Sequence, residues 1–369
     1  MTFYNVIEEY RSFGIQTFVN SVTPAAVEAI LSKESIDELD FLSLLSPAAV
    51  PHLELMAERA GTLTRQHFGN VVQLFTPMYI SNYCENVCAY CSFAKHHTIS
   101  RRHLSFDEIR EECERISAAG IRHILVLTGE SHSLASVDYL NESIRIIKDY
   151  FSSVSIEVYP LTESGYHRLI TTGVDGLTIF QECYDTAIYH RLHCGGPKED
   201  FRFRLEAPDR AALQGIRSVT VGALMGLNTM YKEAFLTGLH AAYLQKHYPS
   251  IEVSISLPRI RPLAGYFLPP HPVSDAEFVQ CLTAMRLFLT SVGITISSRE
   301  SCEMRNAILP LGVTRMSAGV STAVGGHTAA PSTAQFEIAD SRTVSDMKRD
   351  LLAMGYQPVM HDWNFRFIA

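Results

Sequence analysis

Three of the eight cysteines, Cys84, Cys88 and Cys91, lie within eight residues of one another in the pattern C-x3-C-x2-C. Thiolates at such spacing bind iron–sulfur clusters or zinc. Structural zinc usually takes four protein ligands, and the four-cysteine arrangement of ferredoxin clusters is missing one residue here. The pattern therefore predicts a 4Fe-4S cluster with one iron left open as a reaction site. A zinc ion completed by His96 or His97 is the alternative.

The composition limits where such a site can operate. The 369-residue chain is 47% apolar and carries a formal net charge of -8. An acidic balance argues against a general nucleic-acid surface, which needs a basic excess. A helix needs about 18 consecutive apolar residues to span a bilayer, and the sequence contains no such run. Its first residues also lack the pattern of a signal peptide. We therefore expect a cytoplasmic protein that binds neither nucleic acid nor membrane, where clustered cysteines are ligands rather than disulfides.

Short apolar strands alternate with amphipathic helices through the middle of the chain. Strands that alternate with helices form parallel sheets, and eight repeats over about 250 residues are typical of a closed barrel. We therefore predict an α/β fold, an eight-stranded β/α (TIM-type) barrel, with a doubly wound open sheet as the alternative. The predicted strands are Val71–Met78, Ile124–Leu127, Ile156–Tyr159, Leu177–Phe180, Val219–Ala223, Val253–Leu257, Ile294–Ser297 and Arg315–Ala318.

Two smaller segments flank the predicted barrel. Residues 1–65 carry N-cap signals at Thr23 and Ser35 and no strand pattern, which predicts an N-terminal helical extension. The barrel is predicted over residues 66–330, and residues 331–369 are predicted to form a short C-terminal helical tail packed on it. Further helices are predicted over Phe106–Ala119, Asp275–Ser291, closed by Gly293, and Ser341–Met354.

The carboxyl ends of barrel strands hold the candidate binding residues, because barrel enzymes build their active sites there. Gly129 and Glu130 follow the second predicted strand, and Glu182 follows the fourth. Arg204 comes about twenty residues later, with Arg202 as a substitute. A carboxylate and a guanidinium are the pair that binds an amino-acid moiety, one for its ammonium and one for its carboxylate. A solvated surface ion pair is the alternative.

The aromatic Tyr90 before the last cysteine completes the pattern C-x3-C-x-Tyr-C, which resembles the signature of the radical S-adenosylmethionine superfamily. The resemblance implies that the three cysteines hold a 4Fe-4S cluster whose fourth iron binds S-adenosyl-L-methionine. Reductive cleavage of that cofactor gives a 5'-deoxyadenosyl radical. The residues that the resemblance implies for cofactor binding are Tyr90, Gly129, Glu130, Glu182 and Arg204.

The later strand ends carry glycines and arginines. Gly222 and Gly226 follow the fifth strand and would allow close backbone approach to a ligand such as the adenosyl group. Arg299 follows the seventh strand, two residues after Ser297, which suggests a second anionic group to be bound. The alternative is that Arg299 pairs with Glu300 or another acid in a structural network.

Longer stretches resemble the 2-iminoacetate synthase family, the tyrosine lyases of thiamine thiazole biosynthesis. The resemblance covers nearly the whole chain and implies a carbon–carbon lyase that splits L-tyrosine at Cα–Cβ into 2-iminoacetate and p-cresol, with 5'-deoxyadenosine and methionine formed. It implies that Arg299 binds the tyrosine carboxylate, supported by Ser297. The matching stretches are residues 45–49, 63–70, 205–210, 222–227 and 357–359, with Asp362 and Trp363.

The same resemblance implies partners and leaves rival functions open. The expected partners are reduced flavodoxin or ferredoxin as electron donor and thiazole synthase as acceptor of the imine; the basic segment Thr98–Arg102 is either their contact or a solvated face. Tyrosine lyases of hydrogenase maturation carry a second cysteine cluster, whereas residues 303–369 contain no cysteine. A tryptophan lyase and a non-enzymatic iron–sulfur scaffold or electron-transfer subunit are the remaining rival functions. The loop Ser321–Pro331 looks mobile and is given no role.

Overall fold

The computed structural model describes residues 2–261, 267–328 and 332–361, so Asp362 and Trp363 of the family resemblance lie outside the described residues. Parallel strands form one sheet in the order β2-β3-β4-β5-β6-β7-β8-β1-β9, and an additional pairing of β1 with β2 closes it into a barrel. The strands are β1 (Val71–Ser81), β2 (His123–Thr128), β3 (Ser153–Glu157), β4 (Gly176–Glu182), β5 (Ser218–Ala223), β6 (Glu252–Ser256), β7 (Gly293–Ile296), β8 (Arg315–Ser317) and β9 (Gln357–Val359). The predicted β/α barrel is confirmed, each predicted strand overlaps one of β1–β8, and the open-sheet alternative is wrong.

Helices surround the barrel and precede it. Those described are α1 (Phe3–Arg11), α2 (Ile15–Ser21), α3 (Pro24–Leu31), α4 (Glu38–Leu44), α5 (Leu53–Phe68), α6 (Phe106–Ala118), α7 (Val137–Ile147), α8 (Glu163–Thr172), α9 (Thr186–Leu192), α10 (Phe201–Leu205), α11 (Ala207–Leu213), α12 (Met230–His247), α13 (Asp275–Phe288), α14 (Cys302–Ile308) and α15 (Val344–Ala353). Short 3-10 turns occur at Pro47–His52, Pro197–Glu199 and Leu309–Leu311. None of the described helices is long and apolar enough to cross a membrane.

Side chains alternate across each barrel strand, which decides what faces the centre. In β3, Val154 and Ile156 are buried against the helices, while Ser155 and Glu157 line a cavity inside the barrel. Small hydroxyl side chains from the other strands, such as Thr178 and Thr295, line the same cavity. The barrel centre therefore combines polar side chains with apolar ones such as Phe75, Leu127 and Phe180 around an open cavity, where a purely structural barrel would be filled with branched apolar residues.

Two boundary predictions are wrong for identifiable reasons. Ser35 is not the N-cap of the second predicted helix. Helix α4 begins at Glu38, and Asp37 is its N-cap, because the Asp37 carboxylate accepts the N–H of Asp40 at 2.8 Å and forms a capping box. Helix α13 ends at Phe288, and Gly293 begins β7 instead of closing the helix. A Cβ at Gly293 would lie 2.4 Å from the hydroxyl of Ser254 on β6, so the glycine serves strand packing.

The chain after the barrel contributes a strand that the sequence did not predict. Helix α15 lies within the predicted Ser341–Met354 helix, and β9 then pairs in parallel with the first residues of β1. Val71 pairs with Gln357 and Val72 with Pro358. The tail is therefore joined to the amino-terminal end of β1, away from the end that carries the cysteines.

Candidate active site at the carboxyl ends of the strands

The cysteine loop follows β1 and is shaped around one partly buried guanidinium. Arg101 donates hydrogen bonds to the carbonyl oxygens of Asn82 and Phe93, both at 2.6 Å, and of Ala94 at 2.7 Å. Carbonyls from both ends of the loop thus converge on one cation, which fixes the distance between the loop ends. The basic segment Thr98–Arg102 is consequently not a free surface here, since Arg102 also pairs with Glu108 at 2.6 Å.

A second segment, after α9, holds the middle of the loop. The N–H of Val87 donates to the carbonyl of Gly195 at 2.7 Å, and the N–H of Ala89 donates to that of Leu192 at 3.0 Å. Cys88 lies between these two hydrogen bonds, and its backbone forms an isolated antiparallel β-bridge with that of His193. Its backbone is therefore held on both sides, which orients the thiol.

The three thiols share one site. Cys88 is buried, and Cys84 and Cys91 are partly buried. Burial raises the pKa of the Cys88 and Cys91 thiols, and the charges of neighbouring cysteines raise them further, while Lys198 opposes the shift. A cationic cluster would remove this cost of ionisation, so the donor set fits a three-thiolate cluster. In the described ranges, no group of three His, Cys, Asp or Glu side chains is arranged to hold a single metal ion.

The residues after β2 pack directly on the cysteine loop. A Cβ at Gly129 would lie 2.4 Å from the carbonyl oxygen of Tyr83 and 3.1 Å from the Cβ of Cys84, so only glycine permits this approach. The buried Glu130 carboxylate accepts a hydrogen bond from the Asn86 amide at 2.6 Å. The structure therefore brings the predicted Gly-Glu pair to the cysteines.

Glu182 at the end of β4 has two cationic neighbours. The Nζ of Lys198 lies 2.7 Å from the Glu182 carboxylate, and a guanidinium nitrogen of Arg204 lies 3.5 Å from it. Burial acts to raise the pKa of Glu182, but the two cations outweigh it and hold the pKa below its usual value. Glu182 has a φ of 69°, a strained value for a residue other than glycine, which turns its side chain into the site. Arg202 pairs with Glu206 at 2.8 Å on the surface, so it is not a substitute for Arg204.

Tyr90 is held by a histidine that the sequence did not single out. The Nδ1 of His193 lies 2.8 Å from the carbonyl oxygen of Tyr189, and its Nε2 lies 2.7 Å from the Tyr90 hydroxyl. Because a carbonyl only accepts, Nδ1 carries the proton and Nε2 accepts from Tyr90. Burial lowers the pKa of His193 to about 3, so the imidazole is neutral. This pair fixes the Tyr90 ring beside Cys88.

The arginines near β6 and β7 divide into paired and unpaired groups. The Glu300 carboxylate accepts from Arg259 at 3.0 Å and from Arg261 at 2.8 Å. The predicted alternative that Glu300 pairs with Arg299 is therefore wrong. The Arg299 guanidinium lies 3.4 Å from the ring centroid of Phe336. It makes no hydrogen bond or ion pair with a side chain or carbonyl among the described residues.

Arg299 faces a cavity of about 780 Å³, including its open mouth, inside the barrel. Ser297, Tyr79 and Glu157 line the same cavity. The Tyr79 hydroxyl donates to the amide oxygen of Gln335 at 2.8 Å. The pKa of Glu157 is raised to about 7, mainly by burial and then by the negative charge of Glu182. Glu157 was not predicted as a site residue because it lies inside a predicted strand. Side chains alternate along a strand, so the outward side chain of Ile156 implies that the side chain of Glu157 faces the barrel interior.

Two other sequence interpretations need correction. Gly222 does not leave room for a ligand, because a Cβ there would lie 1.8 Å from the carbonyl oxygen of Ser256 on β6. The described part of the loop Ser321–Pro331 is anchored rather than loose. The Glu112 carboxylate accepts the N–H groups of His327 at 3.0 Å and Thr328 at 2.8 Å. The same region supplies Thr322 to the cavity lining.

Comparisons with known proteins identify the family of the chain. Residues 78–237 match the family model of the Radical SAM superfamily, and residues 256–357 match that of the Biotin and Thiamin Synthesis associated domain. The chain is 38% identical to the 2-iminoacetate synthase of Salmonella typhimurium strain LT2 over 352 residues, 95% of this chain and 93% of the relative. It is 37% identical, with the same coverage, to the 2-iminoacetate synthase of Escherichia coli strain K12. The structure of the FeFe-hydrogenase maturase HydG from Carboxydothermus hydrogenoformans superposes with a TM-score of 0.90 at 28% identity, covering 98% of this chain and 85% of that one.

Proposed function

Because the chain belongs to the 2-iminoacetate synthase family of radical S-adenosylmethionine enzymes, we propose that it splits L-tyrosine at the Cα–Cβ bond. The products are 2-iminoacetate and p-cresol, with 5'-deoxyadenosine and methionine formed from the cofactor. When bound, the cluster and cofactor supply a radical that takes a hydrogen atom from the tyrosine amine. The protein's own contribution is to hold tyrosine in one orientation and to exclude water and other hydrogen donors.

The cluster is assigned to Cys84, Cys88 and Cys91. Their loop is closed by Arg101 and paired with the segment after α9, so the thiols are held in place before a cluster binds. Three thiolates leave one iron open, which is the position that an amino acid's amine and carboxylate can chelate.

The cofactor residues are assigned around that open position. Glu182 is assigned to the methionyl ammonium and Arg204 to its carboxylate, the two complementary charges of that moiety. The Arg204 Nε donates to the carbonyl of Phe180 at 2.7 Å, which leaves the other end of the guanidinium directed at the site. Gly129 and Glu130 hold the cofactor from β2, and Tyr90 contacts it from the loop.

One observation carries the substrate assignment: Arg299 is a cation that forms no ion pair among the described residues, and it lines the cavity inside the barrel. An unpaired charge in a partly buried position costs free energy, so its presence indicates an anionic ligand. Contact with the Phe336 ring holds the guanidinium in place, and a guanidinium can bind a carboxylate with two parallel hydrogen bonds. We assign Arg299, with the Ser297 hydroxyl, to the carboxylate of tyrosine.

The decisive assay supplies the anaerobically reconstituted protein with tyrosine, S-adenosyl-L-methionine and a reductant, and measures p-cresol. Reduced flavodoxin or ferredoxin is the proposed donor, and thiazole synthase the proposed acceptor of the imine. Formation of 5'-deoxyadenosine without p-cresol would refute the tyrosine assignment and leave the radical chemistry intact; indole-derived products from tryptophan would point to a tryptophan lyase. An electron paramagnetic resonance signal of the cluster that does not change when the cofactor is added would favour an iron–sulfur scaffold.

A further inference from the structure

Glu157 is a carboxylate in the substrate cavity to which the preceding assignments give no role. It is the last residue of β3, and it follows the inward alternation of Ser155 on the same strand. Among the described residues that line the cavity it is the only acid. Its position at the carboxyl end of a strand is where barrel enzymes place groups that contact substrate.

The Glu157 carboxylate makes no hydrogen bond or ion pair with any described residue. The nearby cations that pair with carboxylates are already engaged, since Lys198 and Arg204 contact Glu182. A partly buried carboxylate without a donor costs free energy, so a purely structural role would not retain it. The arrangement indicates a ligand that brings its own hydrogen-bond donor into the cavity.

Glu157 and Arg299 approach the cavity from opposite sides. In the closed sheet β3 and β7 are four strands apart in either direction, and Arg299 follows β7. The amine nitrogen and carboxylate carbon of an α-amino acid are bonded to the same Cα, so they lie within about 3 Å of each other. A substrate whose carboxylate binds Arg299 can therefore turn its amine toward the opposite wall, where Glu157 lies.

We propose that Glu157 is a catalytic residue that binds the α-ammonium group of tyrosine and accepts one proton from it, a role that rests on the proposed function. In this step one N–H bond of the ammonium breaks and one O–H bond forms on the carboxylate, so no electron is transferred. The neutral amine that results is the form from which a hydrogen atom can be removed to give a neutral aminyl radical. The carboxyl group releases its proton to water when the products leave.

The electrostatic surroundings suit a base that works near neutral pH. Burial and the charge of Glu182 raise the pKa of Glu157 to about 7, while Arg299, Arg204 and Lys198 act in the opposite direction. Tyr79 on β1 faces the same group, and burial keeps its hydroxyl protonated at neutral pH by raising its pKa. Since the base must be ionised, kcat/KM for tyrosine should fall as the pH drops below about 7.

The test compares Glu157→Gln with the wild type and with Glu163→Gln, which removes an exposed carboxylate at the start of α8. We expect Glu157→Gln to lower kcat for p-cresol by ~100- to 10,000-fold, the usual effect of losing a general base. The acidic limb of its pH profile should disappear, Glu157→Asp should recover part of the rate, and Glu163→Gln should match the wild type.

A binding measurement without turnover completes the test. Equilibrium dialysis with the reconstituted protein and cofactor, without reductant, would compare tyrosine with 3-(4-hydroxyphenyl)propionate, which lacks the amine. The wild type should bind tyrosine more tightly, and Glu157→Gln should lose that preference. A variant that weakens both ligands equally would assign Glu157 to the phenol and overturn the proposal, as would a variant with wild-type rate and pH profile. A wild type that forms no p-cresol would instead refute the proposed function.

Discussion

Replacement of Arg299 by methionine tests the substrate assignment, because methionine keeps much of the volume and removes the charge. The guanidinium lies over the Phe336 ring and forms no ion pair among the residues described, so its charge is available to a ligand. Loss of a buried charge-assisted contact costs about 2 to 5 kcal/mol. At about 1.4 kcal/mol per factor of ten, kcat/KM for tyrosine should fall roughly 30- to 3,000-fold.

The assay is initial-rate p-cresol formation at varied tyrosine and saturating cofactor, repeated with the two concentrations exchanged. The KM for tyrosine should rise and that for S-adenosyl-L-methionine should stay unchanged, since Arg204 and Glu182 are untouched. If the cofactor requirement rises as much as the tyrosine requirement, the roles of Arg299 and Arg204 have been exchanged and the reasoning fails.

A stability comparison separates this effect from damage to the fold. Arg299→Met removes an unpaired charge, so the midpoint of thermal unfolding should not fall. Arg305→Met is the matched control, because Arg305 and Asp340 are both 1% exposed and form an ion pair at 2.5 Å. Breaking such a buried pair costs about 3 to 5 kcal/mol, so this variant should unfold earlier. A destabilised Arg299→Met would show that the arginine has a structural partner after all.

The cysteine loop and one buried carboxylate give three further predictions. Cys88→Ala should abolish iron-dependent formation of 5'-deoxyadenosine in a chain that still folds by circular dichroism; turnover after reconstitution would contradict the ligand assignment. Arg101→Leu leaves three loop carbonyls without their donor, at about 1 kcal/mol or more each, so iron content after reconstitution should drop, whereas an unchanged content would show that the loop holds itself. Burial opposes ionisation of Asp340, but Arg342 and Arg305 lower its pKa from 3.8 to about 2. The stabilisation is therefore fully present above pH 4 and lost as the pH falls toward 2; thermal unfolding of Asp340→Asn should lack this acid dependence, and a parallel decline in both proteins would disprove it.

The fold could be predicted because barrel strands leave a pattern that does not depend on distant residues. An apolar run such as Val219–Ala223 between helical segments marks a strand wherever it lies in the barrel. The cysteine site could be predicted for the same reason, since all three ligands come from one loop. Strand β9 could not, because Gln357–Val359 is too short and too polar to show a period, and its pairing depends on contact with β1.

Pairing of charges was the part that the sequence could not supply. Arg259 and Arg299 are both arginines just after a strand, yet one is neutralised by Glu300 and the other is not. Lys198 lies in the segment between α9 and α10, and only the folded loop brings its ammonium to Glu182. Which carboxylate meets which cation depends on distances of a few ångströms between elements far apart in the chain. Sequence position therefore identified candidate groups and left open which of them remain free for a ligand.

The free charges in the cavity are informative because of where they stand relative to each other. A cation and an anion within contact distance neutralise each other, as Glu182 at the end of β4 and Lys198 from the segment between α9 and α10 do. Arg299 and Glu157 extend from opposite sides of the closed barrel, and each charge favours the other although the two side chains form no ion pair or hydrogen bond. A zwitterionic amino acid supplies both missing partners at once, with the charges in the order that the two walls require. The separation that keeps Arg299 and Glu157 from forming an ion pair thus suits a ligand with an ammonium and a carboxylate on one carbon.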